Sequence, residues 1–165
     1  MIRLEGMSVG AVYSAHYLAR SPGRYVSAEE IAKHGKFSSG VLQKALRRMC
    51  RAGLVRSAPG HGFQLAVAAE RLSLLDVLRS IEGDALLCDA CAMGRRDCAQ
   101  RQVCLLSDLC QRLRATVESS LAGLAIASLP VGKDGLPVCR DDPKGPCPSL
   151  PVAEEPDACE RSSSS

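Results

Sequence analysis

The chain has 165 residues, of which 46% are hydrophobic and 24% charged, the balance of a single soluble globular domain with room for a tail. It holds no run of about 18 apolar residues, which excludes a membrane-spanning helix, and no basic-then-apolar leader, so a cytoplasmic protein is expected. The net charge of +3 is uneven: residues 1–83 hold 12 Lys+Arg against 6 Asp+Glu, whereas residues 84–165 hold 9 against 12, so positive charge collects in the half where a polyanion would bind.

Aromatic residues make up 3% and Trp is absent, so the core must be aliphatic, which favours helices over a β-sandwich. Residues 8–19 predict a helix that is apolar nearly all round and therefore buried, closed by Pro22 and Gly23. Ser27 and Glu30 have the spacing of a capping box for a short helix over Ala28–His34, ended by Gly35. Ser38 or Ser39 caps a third helix running to about Arg51, with Val41, Leu42, Ala45, Leu46 and Met49 inward and Gly53 as its stop. Two extended runs, 54–57 and 63–67, flank the turn Ala58-Pro59-Gly60-His61-Gly62 and predict a β-hairpin. Ser73 caps a further helix with Leu74, Val77, Leu78 and Ile81 at i, i+3, i+4 and i+7, ending at Gly83.

Five of the nine Cys fall within residues 88–110. From Leu105 to about Ser128 the pattern predicts one long amphipathic helix, with a stripe of Leu106, Leu109, Leu113, Val117, Leu121 and Leu124 and a stop at Pro130. At about 1.5 Å per residue it would span about 36 Å, long for so small a domain, and such a stripe beyond the core packs on a second copy of itself. Residues 130–165 hold seven of the nine Pro and end in four Ser, a composition with too little apolar material to offset ordering entropy, and they read as a disordered tail. The expected architecture is mainly α with a small β-hairpin wing: a winged helix–turn–helix over 1–83, a Cys-rich loop over 84–104, a dimerisation helix over 105–129 and a tail over 130–165.

The order helix, helix, hairpin locates a nucleic-acid interface. A recognition helix enters the major groove N-terminus first, so short polar residues there reach base edges and basic residues further along meet phosphates. Ser38, Ser39 and Gln43 are candidates for the first role, and Lys44, Arg47, Arg48 and Arg51 for the second. The hairpin turn, with His61 at its tip, would lie along the neighbouring minor groove. Three arginines on one helix are also what a solvated face carries; the element order and the confinement of positive charge to this half favour double-stranded DNA. No nucleophile–base pair, phosphate-cradling Gly loop or carboxylate pair stands out, so no enzyme is expected.

The second constellation is Cys88-x2-Cys91-x6-Cys98-x5-Cys104. Four thiolates within a short segment can converge on one soft metal centre, and Zn²⁺ and iron–sulfur clusters both accept four Cys. Disulfides are rare in the cytosol, which favours a metal, and the spacing alone leaves zinc and iron–sulfur open. Cys50 reads as a packed apolar residue, His16 and His34 as structural, and Cys139, Cys147 and Cys159 as free thiols.

With these parts in this order, the sequence resembles the IscR/NsrR-type winged-helix regulators, the Rrf-two family of bacterial transcription factors, from about Ile2 to Leu129. The likeness rests on the start Ile2-Arg3-Leu4, on Leu42–Ser57 leading into a Gly-containing wing and Phe63-Gln64-Leu65-Ala66, on Leu74-Leu75-Asp76-Val77, and on a Cys loop running into a long helix. The resemblance implies a homodimer that binds promoter DNA and holds a [2Fe–2S] or [4Fe–4S] cluster, whose state alters that binding in response to redox poise, nitric oxide or iron–sulfur status. The family's loop spacing is C-x5-C-x5-C. Cys98 and Cys104 keep it, the first ligand shifts to Cys91, and the positions that usually supply a fourth ligand hold Ser107 and Val9. The resemblance therefore leaves that role to Cys88. The family's wing commonly opens with an Arg-Gly pair, whereas here it is shorter and has no Arg at its turn, which implies a different operator. Two other readings are a zinc-stabilised constitutive repressor of the same fold and an electron-transfer or cluster-carrier protein whose basic helices meet an acidic partner. A colourless zinc protein would mark the first, and absence of specific DNA binding the second.

Overall fold

The computed structural model describes residues 6–35, 37–83 and 106–130. In chain order these form α1 (Gly6–Ala19), α2 (Ala28–Lys33), α3 (Ser39–Arg51), β1 (Val55–Ala58), β2 (Gly62–Leu65), α4 (Leu74–Glu82), α5 (Ser107–Ala122) and a closing 3-10 turn, Ile126–Ser128.

Helix α1 is the axis of the core. Ala11, Val12, Tyr13, Ala15 and Leu18 are buried, and so are the polar Ser8, Ser14 and His16, as the all-round apolar pattern predicts. Each of those polar groups has to be accommodated: Ser14 Oγ donates back to the Gly10 carbonyl at 2.8 Å, and Ser8 Oγ donates to the Glu82 carboxylate at the end of α4. Burial first, and the nearby Arg20 cation second, push the His16 pKa below its ordinary 6.5. The unfolded chain then binds more protons than the fold just below that pH, so stability is lost as the solution is acidified. A melting temperature lower at pH 5.5 than at pH 7.5, and less so in His16→Gln, is the expected result.

Helix α3 lies against α1 through Leu42, Ala45, Leu46 and Met49, all fully buried. A side chain on Gly10 would meet Leu42 at 3.2 Å, so the two helices approach closely at that level. Ser38 is the N-cap, its Oγ accepting from the Val41 N–H. The capping box expected at Ser27 is only half built. Ser27 accepts from the Glu30 N–H at 3.1 Å, but the Glu30 carboxylate turns outward to Arg24, because a guanidinium within reach offers it two charge-assisted bonds. The complete box stands at α4, where Ser73 and Asp76 satisfy each other's backbone N–H.

Strands β1 and β2 pair antiparallel with Val55 opposite Leu65 and Ala58 opposite Gly62. The hairpin is held to the domain by Val26, whose N–H and carbonyl both bond Phe63 at 2.8 Å. Gly62 makes this possible: its φ is +110°, and a Cβ there would lie 2.4 Å from the Val26 carbonyl oxygen, so no other residue fits without shifting the wing.

The single long helix expected from Leu105 to Ser128 is corrected by the structure. Helix α5 runs only from Ser107 to Ala122, a 16-residue span of about 24 Å. After Gly123 the chain folds back and docks on α4: Leu74 N–H bonds the Leu124 carbonyl and Ile126 N–H bonds the Leu72 carbonyl, both at 2.8 Å. Burial decides it. Ile126 lies off the apolar stripe and would face solvent on a continued helix, whereas in the turn it is fully buried in the same core as α1. The expected dimerisation unit over 105–129 therefore shares its last residues with the winged-helix core.

Candidate nucleic-acid interface and cysteine segment

With Leu42, Ala45, Leu46 and Met49 turned inward, the remaining residues of α3 are distributed by the 100° step of a helix. Gln43, Arg47 and Cys50 fall on the flank beside the wing, Lys44 and Arg51 on the outer crest, and Arg48 on the flank toward α4. The contacts agree. Gln43, Arg47 and Cys50 line an open groove of about 480 Å³ whose other walls are Ser27–Glu29 of the α2 start and Ser57–Phe63 of the wing, His61 included. Lys44 and Ser38 line a second hollow, of about 340 Å³, with Gly6, Met7, Phe37 and Val41. Arg51 is exposed. Ser39 opens the helix beside the cap.

Of the residues expected at DNA, then, the structure brings Gln43, Arg47 and His61 to one groove and sets Lys44 and Ser38 at another. Arg48 is engaged elsewhere: its Nη1 donates to the Ile81 carbonyl at 2.8 Å, one of the last carbonyls of α4, where a cation is favoured by the helix dipole. Sequence reasoning took Arg48 with its neighbours because it treated all basic residues of the helix alike, and the wheel separates them. It missed Glu29 and Ser57 as groove walls. Both were accessible in principle, Glu29 from the buried Ala28 and Ile31 on either side of it, and Ser57 from strand alternation. It also missed the wing's cross-strand clasp, in which Arg56 Nε and Nη2 donate to Gln64 Oε1 at 3.1 and 2.8 Å.

His61 Nδ1 bonds the Pro59 carbonyl at 3.0 Å; since a carbonyl only accepts, Nδ1 carries the proton and the wing tip is pinned by its own side chain. In the groove floor, burial pushes the Cys50 thiol above its usual pKa, and a hydrogen bond with Ser57 only partly counters this. A neutral, half-buried thiol is a packing residue, as expected from sequence.

The expected metal ligands Cys88, Cys91, Cys98 and Cys104 lie outside the described residues, as do the tail cysteines. Among the described residues no group of three or more His, Cys, Asp or Glu is placed to hold a metal ion, and Cys50 and Cys110 are separate half-buried thiols. The four remaining cysteines of 84–105 are a donor set suited to soft centres, and they stand in the chain between the end of α4 and the start of α5. Those two helices touch directly through Arg79 and Glu118, paired at 2.8 Å on an exposed surface.

The family model Rrf2, described as an iron-dependent transcriptional regulator, matches residues 7–130. The chain belongs to the Rrf2 family. Rrf2 proteins are transcriptional regulators rather than enzymes. Among curated relatives, the HTH-type transcriptional regulator BadM of Rhodopseudomonas palustris is 36% identical over 87 residues, which is 52% of this chain and 56% of that protein. An HTH-type transcriptional regulator of Haemophilus influenzae is 28% identical over 109 residues, covering 65% of this chain and 71% of its own. The chain thus spans little more than half of BadM. Among solved structures, CymR of B. subtilis, the global cysteine regulator, superposes with a TM-score of 0.62 at 22% identity, over 77% of this chain and 94% of CymR. IscR of T. potens does so with a TM-score of 0.60 at 20% identity, over 76% and 83%. At that identity both show the winged-helix fold alone. Among the described residues no helix is long and apolar enough to cross a membrane.

Proposed function

We propose that this Rrf2 regulator is a cytoplasmic homodimer that reads promoter DNA through the groove of Gln43, Arg47 and His61, and that senses redox, nitric oxide or iron–sulfur status through an iron–sulfur cluster on Cys88, Cys91, Cys98 and Cys104. The observation that carries the DNA half is that one open groove joins the flank of α3 to the wing tip, the disposition that sets a helix in the major groove and a hairpin beside it. Lys44 and Arg51 on the crest would meet phosphates. A salt-dependent mobility shift on the chain's own upstream DNA tests it, and a protein that prefers no duplex over random DNA refutes it.

The dimer half rests on α5. None of its residues is buried, and Leu109 and Leu113 are 50% and 57% exposed on one face, where i and i+4 neighbours form a contiguous apolar surface. Continuity with half-buried Val117 and Leu121 extends that face to the core. Because Leu113 is exposed within one chain, Leu113→Glu is expected to leave the fold intact while weakening self-association about tenfold or more, read by sedimentation as a shift from dimer to monomer. A dimer that persists unchanged would move the subunit contact elsewhere.

A cluster on the four thiolates would supply a change of charge and ligation with redox state. The chain's own part is mechanical. The end of α4 is tied to α1 through Ser8–Glu82, to α3 through Arg48–Ile81 and to α5 through Arg79–Glu118. A change in how residues 84–105 are held would therefore act on the recognition helix and on the subunit contact together, altering the spacing of two reading heads. Cys98→Ala is expected to abolish bound iron and sulfide while Cys110→Ala leaves both, measured on anaerobically isolated protein; retention in Cys98→Ala would overturn the ligand assignment.

A further inference from the structure

The groove that holds Gln43 and Arg47 also holds a carboxylate. Glu29, in the first turn of α2, lines it and is exposed. Its neighbour Glu30 is engaged by Arg24 through bonds of 2.8 and 2.9 Å. The Glu29 carboxylate has no hydrogen bond or ion pair among the described residues. The register of α2 explains its position, since Ala28 and Ile31 are buried and hold the helix with Glu29 outward.

An unpaired carboxylate on a polyanion-binding surface lowers affinity for every sequence, because the cations around it draw phosphates toward it. The penalty is offset only where the duplex presents a hydrogen-bond donor, and in the major groove a carboxylate accepts from cytosine N4. Arg47, lining the same groove, has the complementary preference, guanine O6 and N7. A G·C pair offers both partners within one base pair.

We propose that Glu29 is a specificity-determining residue: its carboxylate, sharing one groove with Arg47, disfavours phosphate there and favours a cytosine amino group, so that the two side chains select a G·C-containing operator step. This rests on the reading of the groove as the DNA interface. An acidic wall in a basic groove makes binding weaker and more selective than the net charge of the domain suggests.

The test uses the full chain isolated anaerobically. A duplex is first selected from a random pool by the wild type, and wild type, Glu29→Gln and Glu29→Ala are then titrated with that duplex and with a scrambled one at equal salt. The readout is the ratio of the two dissociation constants. Removing the charge is expected to tighten scrambled DNA by about three- to tenfold and to weaken the selected duplex, so that the ratio falls by at least threefold, about the low end for one lost base contact. Both variants should melt close to the wild type, as the Glu29 side chain is exposed and has no partner among the described residues. A ratio that falls by less than threefold in both variants overturns the proposal. A wild type that enriches no sequence overturns instead the DNA-interface reading beneath it.

Discussion

Arg47→Ala is expected to weaken operator binding by about ten- to a hundredfold, the range for one arginine lost from a base edge or a close phosphate, with no loss of stability. Arg47 is exposed, lines the groove and forms no ion pair among the described residues, and Ala is the best helix former. Its sequence neighbour should behave in the opposite way. Arg48 donates to the Ile81 carbonyl, so Arg48→Ala should cost about 1 kcal/mol of stability and affect DNA binding less. Titration of the same duplex against both variants, with thermal melts alongside, checks the contrast. If the two proved equivalent on DNA, the helix would not be docking by the flank that faces the wing.

Leu46→Ala has the largest expected effect on the fold. Leu46 is fully buried between α3 and the central helix α1, and truncating a buried Leu costs about 2–5 kcal/mol in lost burial and residual cavity. Against the 5–15 kcal/mol that holds a domain of this size together, that is a drop of about 10 °C or more in melting temperature. Gly10 brings α1 against Leu42 one turn earlier on the same seam, so the helices cannot close further to fill the void. A melt within about 2 °C of wild type would mean that α3 is not anchored through this face.

What the sequence disclosed follows the reach of each interaction. Caps, stops and helix stripes act within a turn or two, so Ser38, Ser73, Gly53 and Gly83 and the inward faces of α3 and α4 were legible directly. The hairpin turn was implied by the Pro and Gly of Ala58–Gly62, and the structure adds positive φ at Gly60 and Gly62. The end of α5 was not legible, because Leu124 still fits the stripe; the choice between extending the helix and folding back was made by burial of Ile126 in a core built from distant segments, with the backbone groups of Leu72 and Leu74, fifty residues away in sequence, satisfying the folded-back chain. Glu30 is a similar case, a capping-box residue locally that is taken by Arg24 once the 20–24 turn is folded. At the interface, residue type identified α3 as basic, but only the wheel and the tertiary contacts separated Arg47 from Arg48 and added Glu29 to the groove. The cysteine spacing remains a statement about chemistry, namely that four soft donors are close together in the chain.

Those four donors carry the sensor, and the most direct measurement is the iron, acid-labile sulfide and visible absorption of the full chain isolated without exposure to air. The prediction is a coloured protein containing iron and sulfide, whose absorption changes on exposure to air or nitric oxide together with its affinity for operator DNA. A colourless protein with stoichiometric zinc, or one with neither iron nor sulfide, would contradict the sensor and leave an Rrf2 regulator without one.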